Sequence, residues 1–286
     1  MSISIAESIL AATELLRKAG VPEARREASS LLAHVIERDR TFIIAHSEEK
    51  ISPAHFETLQ AYLERRARGE PLQYITGHQE FFGLDFEVTK DVLIPRPETE
   101  LLVETALKLI GGPEKPAYIC DVGTGSGCVA IALLHERPLL RAVALDLSDA
   151  AIQVAKRNAR RYSLDDRIAF IVSDSLAAVD IGPTFDLIVS NPPYVSEDSL
   201  AGLQREVRDY EPRVALTPGI DGLAIIRRLV SEAGNFLKSG GHLLIEIGFD
   251  QGAAVGRLID RNVWQLLDIH QDLQGIPRTV ALKKKT

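Results

Sequence analysis

The sequence predicts an α/β fold: a mostly parallel sheet covered by helices, ending in an antiparallel hairpin and preceded by a small all-α domain with a β-hairpin linker. Three observations predict it. From Pro97 onward short apolar runs alternate with helical patterns, as in strands joined by crossover helices. The runs at 263–269 and 278–283 have no helical pattern between them and so should pair antiparallel at the sheet edge. Up to about residue 70 the only apolar period is that of a helix.

Ile5, Ile9, Leu10 and Leu16 share a helical spacing, Gly20 stops that helix, and Pro22 opens a second carrying Leu31, Leu32 and Val35. Ser52-Pro53 is another start signal, for a helix with Phe56, Leu59 and Leu63 that ends near Gly69. Residues 1–72 are therefore expected to form a helical domain. It carries ten Lys/Arg against eleven Asp/Glu, a balance suited to packing or protein binding. Between Pro71 and Val88 the pairs Tyr74-Ile75 and Phe81-Phe82, with Phe86, are punctuated by Gly77 and Gly83, as in a hairpin. This sets the linker at 73–94 and the α/β domain at 95–286. Within that domain strands are predicted at 117–122, 141–147, 168–172, 185–190 and 242–247, separated by helices.

The composition is 45% hydrophobic and 26% charged, without low-complexity tracts or repeats, as for an ordinary globular protein. The N-terminal stretch Met1-Ser2-Ile3-Ser4-Ile5 lacks a basic start and an apolar signal core, and no run is long enough to span a membrane. A cytoplasmic, monomeric protein is expected. Cys120, in the first strand of the α/β domain, and Cys128, at the following helix start, suit small buried packing residues, with neither a disulfide nor a metal expected. A net charge of −7 disfavours a protein that grips nucleic-acid backbones.

The segment Asp121-Val122-Gly123-Thr124-Gly125-Ser126-Gly127 lies between the first strand and a helix starting near Cys128. Its glycines permit a tight turn and close backbone approach to a ligand. Asp146 follows 19 residues after Gly127 at the end of the second strand, where a carboxylate can accept from both hydroxyls of a ribose. Asp174-Ser175, after the third strand, lies where an adenine edge can be read. A dinucleotide pyrophosphate calls for a glycine two residues further along, so the spacing favours S-adenosylmethionine. Gly123, Thr124, Gly125, Ser126 and Gly127 would surround its amino-acid end, with Asp121 placing a loop amide or the cofactor ammonium.

Asn191-Pro192-Pro193-Tyr194 ends the apolar run 185–190. A Pro-Pro pair by itself merely terminates a strand. Next to a cofactor loop it becomes a rigid frame that aims one Asn side chain and nearby carbonyls at a planar NH2 group. Asn191 Oδ1 and the Pro192 carbonyl can each accept one N–H, with Tyr194 packed on the amide plane. Asn191, Pro192 and Tyr194 are thus the catalytic candidates, Pro193 joins them in substrate binding, and Asn191 also borders the cofactor. None of the seven histidines lies in such a motif, and none is assigned to catalysis.

These motifs, with Pro71-Leu72-Gln73-Tyr74-Ile75-Thr76-Gly77 and Leu93-Ile94-Pro95-Arg96-Pro97-Glu98-Thr99-Glu100, resemble the release factor glutamine methyltransferases, the PrmC/HemK family. The resemblance runs through most of the chain. It implies a Rossmann-like class I S-adenosylmethionine-dependent methyltransferase domain with a seven-stranded sheet, behind a helical substrate-docking domain. It further implies N5-methylation of the glutamine in the Gly-Gly-Gln motif of class 1 peptide chain release factors. Asn-Pro-Pro-Tyr also occurs in DNA adenine methyltransferases, so an adenine in DNA or a glutamine of a ribosomal protein remains an alternative substrate. A base-flipping enzyme must also hold phosphates, which the acidic charge disfavours. Arg96 is open between capping the helix start and facing the cofactor carboxylate or the substrate loop, Glu246 between orienting the site and a solvated strand end, and Glu211 between substrate contact and loop packing.

Overall fold

A computed structural model describes residues 3–180 and 182–286; Met1 and Ser2, part of the stretch inspected for a signal core, lie outside them. The chain divides into two units, one comprising the segment up to His78 with Gln204–Tyr210, the other Gln79–Leu203 with Glu211–Thr286.

The first unit holds α1 (Ile5–Lys18), α2 (Ala24–Val35), α3 (Arg40–Ala45), α4 (Pro53–Ala67) and α5 (Leu72–Thr76). α1 opens on a capping box: Ser4 Oγ accepts from Glu7 N while the Glu7 carboxylate accepts from Ser4 N. Ser52 caps α4, with Pro53 in its first turn. Ile5, Leu16, Leu31, Leu32, Leu59 and Leu63 form the core. Leu10 is instead 73% exposed, because five residues past Ile5 the helix has turned about 140° from the buried stripe. Tyr74 and Ile75, expected in the hairpin, lie in α5, which Gly77 ends at a φ of 79°. The buried Arg66 pairs with Glu27 and with Glu206 of the helix Arg205–Tyr210, the latter at 2.8 Å.

The hairpin is β1 (His78–Phe81) and β2 (Leu84–Glu87), turning at Phe82 and Gly83. It packs into the second unit's core, where Phe81, Leu84 and Phe86 are buried with Leu102, Leu133 and Leu140. The chain continues through α6 (Glu100–Ile110), β3 (Ala117–Val122), α7 (Cys128–Glu136), β4 (Leu140–Asp146), α8 (Asp149–Arg161), β5 (Ile168–Val172) and β6 (Phe185–Ser190). It then forms α9 (Arg205–Tyr210), which belongs to the helical unit, followed by α10 (Arg213–Leu216), α11 (Ala224–Glu232), β7 (Leu237–Glu246), α12 (Gly252–Leu258), β8 (Trp264–Gln271) and β9 (Pro277–Lys284).

The seven strands run β5-β4-β3-β6-β7-β9-β8, parallel except where β9 pairs antiparallel with β7 and β8. Separate apolar clusters cover the sheet: one around α6 and α7, the other around Phe185, Leu229 and Trp264. α7 is buried from Cys128 through Leu134, so its sequence is apolar all round. β7 starts five residues before the sequence pattern suggests. Ser239-Gly240-Gly241 looks like a turn, but the strand passes through it as a bulge, with Phe185 opposite Leu237 and Leu187 already opposite His242.

Candidate active site

Strand order reverses between β3 and β6, the crevice where open α/β sheets bind ligands. Val122 pairs with Ser190 across these strands, and Ser190 Oγ donates to the Val122 carbonyl at 2.7 Å. The loops that follow, 123–127 and 191–194, therefore leave the sheet side by side. A cleft of about 290 Å³ opens there, lined by Asp121, Gly123, Thr124, Gly125, Ser126, Asp146, Asp174, Ser175, Asn191, Pro192 and Pro193.

The glycine loop folds back on β4: Gly123 N and Thr124 N both donate to the Leu145 carbonyl, at 2.8 and 2.9 Å. Gly123, Gly125 and Gly127 all have positive φ. Asp121 is 1% exposed and accepts from Thr124 Oγ1 at 2.7 Å. Burial pushes its pKa up to about 7, against the Thr124 hydroxyl and the Ala130 amide, with Asp146 adding to the rise. Asp146 accepts from Gly125 N at 2.8 Å and Ser148 N at 2.9 Å, one on each oxygen. Burial raises its pKa too, opposed by these amides. Two acids held in shortage of positive charge favour a cationic, hydroxyl-bearing ligand. Ser126 Oγ and Ser175 Oγ are buried without a hydrogen-bond partner and belong to residues lining the same cleft.

Gly127 and Tyr194 do not line the cleft. A Cβ on Gly127 would stand 2.9 Å from Ile131 Cδ1 and 3.2 Å from Ala155 Cβ, so this glycine serves the packing of α7 on α8. Tyr194 turns its hydroxyl to Glu246 Oε1 at 3.4 Å, and its carbonyl accepts from Gln251 Nε2 at 2.9 Å. Asp174 pairs with Arg228 at 2.8 Å.

The residues left open in the sequence now have places. Arg96 lines the cleft and its guanidinium pairs with Glu211, whose other oxygen accepts from Ile94 N at 3.4 Å. Glu211 thus ties the segment before α6 to the loop after α9. Glu246 is 2% exposed, not solvated. Sequence reasoning missed Thr99, whose Oγ1 accepts from Asn191 Nδ2 at 3.0 Å. It also missed Asn158, 0% exposed, which accepts from Glu87 N at 2.8 Å and donates to the carbonyls of Glu87 and Ser126. Asn158 falls on the inner face of α8 among Ile152, Val154, Ala155 and Ala159. A polar residue within an apolar stripe was its only sequence signal.

The sheet order, the glycine loop and the cleft at the strand reversal define a class I methyltransferase. Residues 7–77 match the PrmC N-terminal domain family and residues 97–205 the methyltransferase small domain family. The release factor glutamine methyltransferase of Koribacter versatilis (strain Ellin345) is 40% identical over 285 residues, 99% of this chain and 100% of that protein. The enzyme of the same name from Burkholderia pseudomallei (strain K96243) is 45% identical over 271 residues, 93% of this chain and 94% of its own. The chain belongs to the release factor glutamine methyltransferase family. A solved methyltransferase from Pyrococcus furiosus shares the fold, with a TM-score of 0.53 at 20% identity over 79% of this chain and 98% of that one.

Proposed function

We propose that this protein methylates the side-chain amide nitrogen, N5, of the glutamine in the Gly-Gly-Gln motif of class 1 peptide chain release factors, using S-adenosylmethionine. The observation that carries this reading is Asn191 at the cleft, its Nδ2 committed to Thr99 and its Oδ1 left as acceptor, with Pro192 lining the same cleft.

The cleft fits the cofactor. Asp146 retains lone pairs for the ribose hydroxyls, the unpartnered Ser175 Oγ lies beside Asp174 on the expected adenine side, and buried Asp121 complements an ammonium. When bound, S-adenosylmethionine supplies an electrophilic methyl group on sulfur. A glutamine amide nitrogen is a poor nucleophile because its lone pair is delocalised into the carbonyl. Asn191 Oδ1 and the Pro192 carbonyl, each accepting one N–H, orient the lone pair and stabilise positive charge developing on nitrogen. Pro193 stiffens this frame. Holding the reacting atoms in line is a proximity effect worth up to about 7–11 kcal/mol in favourable cases. The nitrogen becomes acidic once methylated and releases its proton to water, so no histidine is needed. The helical unit, with its own core, docks the release factor. The protein works as a monomer in the cytoplasm; among the described residues no helix is long and apolar enough to cross a membrane.

The test is transfer of labelled methyl from S-adenosylmethionine to a purified class 1 release factor, its Gly-Gly-Gln Gln→Ala variant and an adenine-containing duplex. Label on the intact factor alone, mapped to that glutamine, is expected. Label on DNA alone would overturn the substrate.

A further inference from the structure

The side chain that grips the substrate amide is itself held from beneath. Asn191 Nδ2 donates to Thr99 Oγ1 at 3.0 Å, and Thr99 is 2% exposed in the turn leading into α6. A buried hydroxyl that accepts from an amide still has its own proton to place. The Thr99 hydroxyl favours the ionised form of Glu246, the last residue of β7. Tyr194 Oη reaches Glu246 Oε1 at 3.4 Å, and Oε2 has no hydrogen-bond partner. Two hydrogen-bonded pairs, Asn191 with Thr99 and Tyr194 with Glu246, thus begin and end in the Asn-Pro-Pro-Tyr motif, and the unpartnered Oε2 leaves Glu246 an acceptor for the Thr99 proton.

We infer that Glu246 is a positioning residue whose proton decides which atom of Asn191 faces the substrate amide. As a carboxylate it takes the Thr99 proton; Thr99 then accepts from Asn191 Nδ2, and Oδ1 is presented to the substrate N–H. As a carboxylic acid it donates to Thr99, whose proton turns to Asn191 Oδ1 and reverses the side-chain amide. Nδ2 then meets the substrate NH2 donor to donor, and the grip is lost. This consequence for turnover rests on the methyl-transfer reading; the orientation of Asn191 does not.

Every group facing Glu246 bears on the balance. Burial pushes its pKa up to about 7; the Thr99 and Tyr194 hydroxyls and Arg278 of β9 pull it down, while Glu98 raises it.

The experiment compares wild type with the isosteric Glu246→Gln, both with S-adenosylhomocysteine. The Asn191 side-chain NH2 resonance, assigned by its loss in Asn191→Ala, is followed from about pH 5.5 to 8.5, around the unit where Glu246 titrates. The wild-type signal is expected to shift with a midpoint near the Glu246 pKa, and that titration to vanish in Glu246→Gln. Turnover on release factor should fall about 10- to 100-fold in Glu246→Gln through kcat, with cofactor KM unchanged and the wild-type acid limb lost. An unmoving wild-type resonance, an identical titration in Glu246→Gln, or a variant with full kcat overturns the inference. If the resonances behave as expected but wild type methylates no release factor, the positioning role stands and the substrate reading falls.

Discussion

Asn191 and Asp146 line one cleft, and two substitutions should separate the roles proposed for them. Asn191→Ala is expected to lower kcat by about 10²-fold or more while S-adenosylhomocysteine affinity, read by calorimetry, stays near wild type. Asp146→Ala removes charged hydrogen bonds of about 1.5–3 kcal/mol each, so affinity should drop at least tenfold. It also frees Gly125 N and Ser148 N, which loosens the loop. Asp121 sets a pH signature. Its folded pKa, about 7, lies above the ordinary aspartate value of 3.8, so its contribution to stability is complete below about pH 4 and is lost as pH rises through 7. Asp121→Asn should therefore raise the apo-protein melting temperature at pH 8 by at least ~2–4 °C and give no such gain at pH 4. Thermal unfolding at the two pH values checks the sign. Asp121 and Asp146 could be named from the sequence because their distance from the glycines is set along the chain. Thr99 could not be given its role, because its partner Asn191 is 92 residues away and only the fold joins them.

At the scale of elements, two short pieces fix the site. Asn158 of α8 bonds both backbone groups of Glu87 in the hairpin and the Ser126 carbonyl of the glycine loop. Asn158→Ala would leave three backbone groups, the N–H and carbonyl of half-buried Glu87 and the buried Ser126 carbonyl, short of a partner, at about 1–3 kcal/mol for each that water cannot reach. Chemical denaturation should show a loss of ~2 kcal/mol or more, with cofactor affinity reduced as well. The loop carrying Gly222 closes on Tyr194 from the other side. At a φ of 67°, a Cβ on Gly222 would stand 2.3 Å from the Tyr194 carbonyl and 2.9 Å from Gln251 Nε2. Gly222→Ala is expected to displace the Asn-Pro-Pro-Tyr loop and cut kcat by about 10²-fold, since a shift near 1 Å suffices, while S-adenosylhomocysteine still binds. The sheet was legible because each crossover unit is local, whereas α5 was misplaced in the hairpin. The aromatic and β-branched residues Tyr74-Ile75 suit either state, and their burial in the helical unit decides for helix.

For the whole molecule, each unit has its own buried core, and Gln204–Tyr210 is a part of the chain that contributes to the helical one. All residues lining the cleft belong to the second unit. A protein comprising residues 79–286 is therefore expected to bind S-adenosylhomocysteine within about tenfold of the full chain's affinity, since every residue lining the cleft is retained. Methyl transfer to an intact release factor should fall far more, chiefly through KM, if the helical unit docks the substrate. Equal KM for both proteins would end that role.

By itself the sequence determined the strand-helix alternation, the glycine loop, the Asp146 and Asn-Pro-Pro-Tyr positions and the family resemblance. All of these are written in spacing along one stretch of chain. Tertiary structure alone decided that Glu246 is buried beneath the motif, that Thr99 orients Asn191, that Arg96 is held by Glu211, and that Tyr194 turns away from the cleft. Those facts depend on which distant residues meet in a water-poor interior. There a carboxylate's charge, a hydroxyl's proton and an amide's orientation are fixed by neighbours that sequence order does not reveal.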